Sequence, residues 1–309
     1  MKLVSFDDSG QAKLGALVND KILDLSVTYE TAASNANKRL LASMMSFLKH
    51  GDKAFDAAKK TIEFAKLNPN KATWSDGKLL APVPNPSKIM LLAGNYAEHI
   101  REGGGTALEK QKTTPRVFMK PPSTTVIAHE ESIIIPPNAV WIDWEAELAV
   151  VIGKPARFVS ADNAYDYVAG YTILQDVSER KLKVETDREP REGDKWFDWL
   201  NGKWFDTFAP MGPCMVTKDE IPDPHTMRIS LSVNGEIKQD SNTGNMVFSV
   251  PELIEFISKL VTLEPGDIIS TGTPSGTGIA RGEKLKDGDI VEIEIEKIGV
   301  LRNPVKQSR

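Results

Sequence analysis

Two glutamates one residue apart stand in the most chemically suggestive stretch of the chain, Asp143-Trp144-Glu145-Ala146-Glu147-Leu148-Ala149-Val150-Val151-Ile152. The apolar run to Ile152 predicts a β-strand, and alternate residues of a strand face the same way. Glu145 and Glu147 then stand side by side where the backbone enters a core. Close, dehydrated carboxylates repel, so burying them requires a compensating cation. A hard divalent ion, which prefers oxygen donors, is the simplest one. An edge strand with one wet face would carry the same pair without any metal. A third carboxylate, Asp176, ends the apolar run Gly170-Tyr171-Thr172-Ile173-Leu174-Gln175. Three carboxylates with water completing six-fold coordination suit Mg²⁺ or Mn²⁺. The four histidines, His50, His99, His129 and His225, show neither HxH nor HExxH spacing, which argues against zinc.

Further groups could work beside such a centre. In Gly94-Asn95-Tyr96-Ala97-Glu98-His99-Ile100-Arg101-Glu102, Asn95 can cap a helix that places His99 and Glu102 on one face. A carboxylate beside an imidazole fixes its tautomer and raises its basicity, giving a general base. A surface helix with a casual ion pair has the same spacing. Gly103-Gly104-Gly105 and the polar segment 106–114 follow, an arrangement suited to a lid. Arg180, in Asp176-Val177-Ser178-Glu179-Arg180, is a candidate carboxylate clamp. The aromatic-rich segment 195–208 contains Lys195 and Lys203, either of which those rings could desolvate next to a metal. A core-packing loop accounts for the same aromatics. The segment Thr271-Gly272-Thr273-Pro274-Ser275-Gly276-Thr277-Gly278 offers hydroxyls and backbone N–H groups to an anion, or forms a long turn.

The elements that must position these groups are legible in outline. Residues 2–25 read as a small antiparallel meander, and 37–50 and 52–67 as helices broken at Gly51. Pro82, Pro84 and Pro86 mark an extended connection, which places a domain boundary near residue 80: 1–80 a small N-terminal domain, 81–309 a larger one. Beyond it short β-branched runs dominate: 89–92, 116–120, 125–128, 132–135, 144–152, 168–175, 228–233, 268–270 and 289–295. Asn234-Gly235 is a hairpin signal, and helices are fewer, near 161–166 and 250–261. The expected fold class is therefore mixed and β-rich. Neither a dinucleotide fingerprint nor a phosphate-binding loop is present.

A net charge of −5, from 38 basic and 43 acidic residues without a basic block, gives nucleic acid no support. No apolar run is long enough for a membrane span, and charged residues stand where a signal peptide needs an apolar core. The single cysteine, Cys214, cannot form an intramolecular disulfide and reads as a small buried filler. A cytoplasmic location is expected.

Taken in order, several segments resemble the fumarylacetoacetate hydrolase family: Asn95-Tyr96 with His99 and Glu102, Phe118-Met119-Lys120-Pro121, Asp143-Trp144-Glu145-Ala146-Glu147-Leu148, Asp176-Val177-Ser178-Glu179-Arg180, Lys203 with Phe205-Asp206-Thr207-Phe208, and Thr271-Gly272-Thr273-Pro274-Ser275-Gly276. The resemblance implies a β-sandwich roll with a small N-terminal α+β domain, assembled as a homodimer. It implies Glu145, Glu147 and Asp176 as Mg²⁺ or Mn²⁺ ligands and His99 with Glu102 as the catalytic dyad. It also implies Lys203, Arg180 and Thr273 at substrate-contacting positions, with Lys120 nearby. This chain has Gln175 where members often have Asn, and Lys183 where some acylpyruvate-cleaving members have Gln. Lys195-Trp196-Phe197-Asp198 echoes Lys203-Trp204-Phe205-Asp206, so Lys195 rivals Lys203. The activity expected is metal-dependent C–C hydrolysis of 2,4-dioxo acids (acylpyruvates), with oxaloacetate decarboxylation open to the same electron sink. The alternative is isomerisation of 2-hydroxyhepta-2,4-diene-1,7-dioate or 5-carboxymethyl-2-hydroxymuconate. A non-catalytic metal- or carboxylate-binding protein ranks last.

Overall fold

The computed structural model describes residues 1–33, 35–107, 109–182 and 189–308. Its backbone is mixed and β-rich, built largely on one twelve-stranded sheet and one five-stranded sheet. The N-terminal meander is present as Lys2–Asp8, Gln11–Val18 and Lys21–Asp24. Its first strand pairs antiparallel with Ala209–Thr217, so the meander extends the larger sheet. From there the sheet runs through Val168–Gln175, Ala146–Ile152, Ile268–Ser270 and Ile89–Ala93 to Arg116–Lys120. Ala81 and Val83, at the proline-rich connection, are buried in the core that Leu3, Leu14 and Leu23 share with Ile89 and Ile268.

The strand Ala146–Ile152 lies at the centre of this order and is buried along its whole length. Leu148, Val150 and Ile152 point into one apolar core, shared with Leu231, Ile293 and Leu301 of the five-stranded sheet. Ala149 and Val151 point into the other, shared with the N-terminal helices. A strand covered on both faces has no wet side, which is why its sequence is an unbroken apolar run. The edge-strand alternative therefore does not describe Glu147.

Several expected elements shift. The helix expected over 37–50 begins only at Met44, because the Ser43 side chain caps it by accepting from Ser46 N. Asp52–Leu67 matches its expectation. An unanticipated helix, Leu25–Ala32, is capped by Asp24, which accepts the N–H of Val27. The strand expected over 125–128 is reduced to Val126–Ile127 by a single helical turn, Pro122–Thr125, whose proline suits a first helical position. Residues Ala161–Tyr167 form a 3₁₀ helix. Val250–Leu260 is an α-helix closed by a capping box between Ser249 and Glu252.

The aromatic segment contributes a helix, Asp194–Asn201, that ends at Gly202. Gly202 sits against Glu179, whose N–H it binds through its own carbonyl at 2.9 Å. A Cβ at Gly202 would meet Glu179 O at 2.2 Å. Gly202→Ala should therefore force the backbone apart, lowering stability by about 1–3 kcal/mol and displacing the adjacent Lys203. A denaturant midpoint equal to that of the parent protein would show that the turn can give.

Candidate functional site

Glu145 and Asp176 face each other across two paired strands. Ala146 pairs with Gln175 and Glu147 with Leu174, and the ladder continues one step as the N–H of Asp176 donates to Glu145 O at 3.0 Å. That register puts Glu145, Glu147 and Asp176 on one face, with a carboxylate oxygen from each lying within 4.8 Å of the others. All three are buried. The strand Ile268–Ser270 flanks them, and Ser270 Oγ donates to Glu147 Oε2 at 2.5 Å, as does Gly272 N at 3.0 Å.

Cations surround the other two carboxylates. Lys203 Nζ lies 2.7 Å from Glu145 Oε2 and 2.6 Å from Asp176 Oδ2. Lys120 Nζ lies 2.6 Å from Asp176 Oδ1 and donates to the carbonyls of Val177 and Phe208. Arg180 binds Glu145 through Nη2 and Asp143 through Nε. Asp143, Glu145, Glu147 and Asp176 bring four carboxyl groups, and Lys120, Lys203 and Arg180 supply three basic ones. Among the described residues Glu147 forms no ion pair; its partners are a hydroxyl and an amide.

The electrostatics follow from this layout. Burial raises the Glu147 carboxyl well above its ordinary value, and the charges of Asp176 and Glu145 raise it further. Burial also pushes Glu145 up, but Arg180, Lys203 and His99 outweigh it and hold Glu145 well below the carboxylate range. Burial draws Lys120 down to about 8, against the opposing pull of Asp176. For Lys203, burial acts in the same direction, yet Asp176 and Glu145 prevail and its ammonium is stabilised. A buried triad of carboxylate oxygens, one of them without a cation among the described residues, fits a divalent cation.

The His99–Glu102 pair forms as expected, on the short helix Ala97–Glu102, with His99 Nδ1 2.8 Å from Glu102 Oε1. The other ring nitrogen, Nε2, stands 4.0 Å from Glu145 Oε1, so the helix delivers the imidazole to the triad. Glu102 also accepts the N–H of Gly276 at 2.7 Å and the hydroxyl of Thr277 at 3.1 Å. Its ionised form is favoured: burial opposes this, but His99 and Gly276 prevail. Asn95 does not cap the helix, which has Tyr96 at that position. Its amide instead donates to Phe248 O and Thr271 O and accepts Phe248 N, tying three segments together behind the site.

A cavity of about 990 Å³ connects these groups and is lined by Glu145, Glu147, Asp176, His99, Lys203 and Thr273, among others. The rivalry between the lysines is decided by burial: Lys203 is buried in the triad, whereas Lys195 is exposed on its helix. Phe118 and Trp199 lie under the Lys203 ammonium, 5.3 and 5.5 Å from it, as the desolvation argument required. Arg180 and Lys120 reach the site but are occupied by the protein's own carboxylates, so neither is a free clamp. Lys183 lies outside the described residues.

Two contributors carry no signal at the sequence level. Buried Gln239 accepts Ala146 N, between the two glutamates, and donates to Thr273 Oγ1 and Pro274 O, joining the triad strand to the 271–278 loop. Its strand, Glu236–Asn242, is polar, and only the Asn234-Gly235 turn announces a returning strand. Asp143 accepts the N–H groups of Trp144, Gly278 and Ile279, so it fixes the far end of that loop while orienting Arg180.

Comparison with known proteins follows this geometry. The family model described as fumarylacetoacetate (FAA) hydrolase C-terminal matches residues 88–306. The oxaloacetate tautomerase Fahd2a, mitochondrial, of Rattus norvegicus is 39% identical over 313 residues, covering 99% of this chain and 91% of its own length. A maleylpyruvate hydrolase from Sphingobium sp. SYK-6, solved with manganese(II) ion and pyruvate, superposes with a TM-score of 0.75 at 29% identity, covering 100% of both chains. A 5-carboxymethyl-2-hydroxymuconate delta-isomerase from Mycobacterium smegmatis gives a TM-score of 0.71 at 30% identity, again covering 100% of both chains. With the buried acidic triad, the histidine helix and a match across both sequence and structure, the chain belongs to the fumarylacetoacetate hydrolase family.

Proposed function

We propose that the protein is a divalent-metal-dependent enzyme that enolises 2-oxo acids at C3, with keto–enol tautomerisation of oxaloacetate as its reaction. The carrying observation is the convergence of Lys203 Nζ and His99 Nε2 on Glu145 beside the acidic triad. The likeness to the rat oxaloacetate tautomerase, over 99% of the chain, supports the choice of oxaloacetate. Glu145, Glu147 and Asp176 would hold Mg²⁺ or Mn²⁺, which would supply Lewis-acid chemistry at the 2-oxo group.

The chain's own residues do the rest. Thr273, whose hydroxyl accepts from Gln239 and keeps its own proton to give, orients the C1 carboxylate. His99 Nε2 removes a proton from C3 and delivers it to the C2 oxygen, converting keto to enol. Glu102 holds the imidazole in the required tautomer and stabilises its cation. The Lys203 ammonium, fixed before the reaction begins, meets the negative charge that develops on the C2 oxygen.

A second reading is hydrolysis of acylpyruvates, favoured by the full-length likeness to the maleylpyruvate hydrolase. Here His99 takes the proton from water, hydroxide attacks C4, and the C3–C4 bond breaks to release a carboxylic acid and the enolate of pyruvate. The test is to follow enol absorbance of oxaloacetate and of an acylpyruvate panel, with Mg²⁺, Mn²⁺ or chelator. Chelator-sensitive acceleration of enol–keto exchange, without pyruvate or CO₂ release, is the expected result. Pyruvate release from an acylpyruvate would transfer the assignment to hydrolysis, and indifference of every substrate would overturn both.

A further inference from the structure

Burying a phenol is unfavourable unless its hydroxyl finds a partner, so phenylalanine is the better filler of an apolar space. Tyr96 is 1% exposed, and its hydroxyl has no hydrogen-bond partner among the described residues. Large as the side chain is, it belongs to neither of the two apolar cores. The backbone of the residue is accounted for. Tyr96 O accepts Ile100 N at 3.1 Å as the cap of the histidine helix, and Tyr96 forms an antiparallel bridge with Met246. The hydroxyl is the one part of the residue left without a role.

Its surroundings lead to the acidic triad. The preceding residue, Asn95, packs so closely on Gly272 that a Cβ there would meet Asn95 Cβ at 2.9 Å. Gly272 in turn gives its N–H to Glu147 Oε2 at 3.0 Å. Asn95 and His99 line the cavity, but Tyr96 between them does not, so its ring lies behind the wall. Burial raises the phenol above its ordinary range, and the one charge that adds to this is that of Glu147. Glu147 is also the carboxylate of the triad that forms no ion pair among the described residues; its donors are Ser270 Oγ and Gly272 N, both on Oε2. A carboxylate that holds a cation keeps its aim through the donors behind it, and losing one weakens metal binding by about 10–100-fold.

We infer that Tyr96 is a positioning residue for the cation site, its hydroxyl donating through one water to Glu147 when that carboxylate holds a divalent ion. This rests on the reading of Glu145, Glu147 and Asp176 as metal ligands and is independent of which 2-oxo acid reacts. Tyr96 touches neither the substrate nor the ion. Its hydroxyl favours the loaded protein and adds nothing to the stability of the ion-free one.

The test measures Mn²⁺ affinity by calorimetry, and melting in chelator, for the parent protein, Tyr96→Phe and Ser270→Ala. Tyr96→Phe removes one oxygen that has no partner, so the variant should melt in chelator at or above the parent's temperature. Its Kd for Mn²⁺ should rise by about 10-fold. Ser270→Ala supplies the contrast, because Ser270 Oγ already donates to Glu147 in this structure. That variant should bind Mn²⁺ more weakly and also melt lower in chelator. An unchanged Kd in Tyr96→Phe overturns the inference. So does a drop of its melting temperature in chelator equal to that of Ser270→Ala, which would give the hydroxyl a structural partner such as a permanently buried water. If the parent protein binds no Mn²⁺, the metal reading falls first and this inference with it.

Discussion

Glu147→Gln yields a protein that no longer turns over 2-oxo acids and gains no stability from Mg²⁺ or Mn²⁺, yet in ion-free buffer it outlasts its parent on heating. Glu147 is buried between Asp176 and Glu145 and, among the described residues, has no cation of its own. Its carboxyl therefore holds its proton to a higher pH in the folded protein than in the unfolded chain. Between those two values the folded state binds the extra proton, so stability falls as pH rises through the window. The ion-free parent therefore loses stability as pH climbs through that window. Glutamine cannot ionise, and its amide oxygen still accepts from Ser270 and Gly272. A gain of about 1–3 kcal/mol follows, comparable to relieving one uncompensated buried polar group. Thermal melts across acid to neutral pH, with chelator and with Mn²⁺, read both effects. A variant that still melts higher with added Mn²⁺ would remove Glu147 from the ligand set.

His99→Ala has the complementary signature. The imidazole reaches the triad through Nε2 and is not one of its oxygens, so Mn²⁺ should stabilise the variant as it does the parent. Turnover should fall by about 10²–10⁴-fold, the usual contribution of a positioned base. Single-turnover rates and a Mn²⁺ melt on the same preparation separate the two statements. Retention of the parent's rate would assign the proton transfer to another group.

Much of this site is legible in the chain because its parts are local. The spacing of Glu145 and Glu147 encodes a shared face, and the spacing of His99 and Glu102 encodes a hydrogen bond. Asp176 is legible as the carboxylate ending an apolar strand, and only the register with Ala146 brings it to Glu145. Lys203 and Lys195 cannot be told apart in the chain, because their local motifs are nearly identical. They separate only when the helix Asp194–Asn201 turns one outward and ends before the other. Gln239 and the tether through Asn95 are invisible for a related reason. Their partners lie far along the chain, and a polar residue in a polar segment gives no hint of burial. The N-terminal strands show the same limit: their alternation announces a meander, but not that it extends the central sheet.

Glu102 makes two kinds of bond at once. One oxygen orients His99, and the carboxylate as a whole grips Gly276 and Thr277 of the loop opposite. Pulling the histidine helix away from that loop breaks the grip and unseats the imidazole in the same movement. Docking and orientation of the imidazole are thus a single event, an interlock. On the proposed reading, a 2-oxo acid is met by His99 only while Glu102 keeps the helix and the loop together.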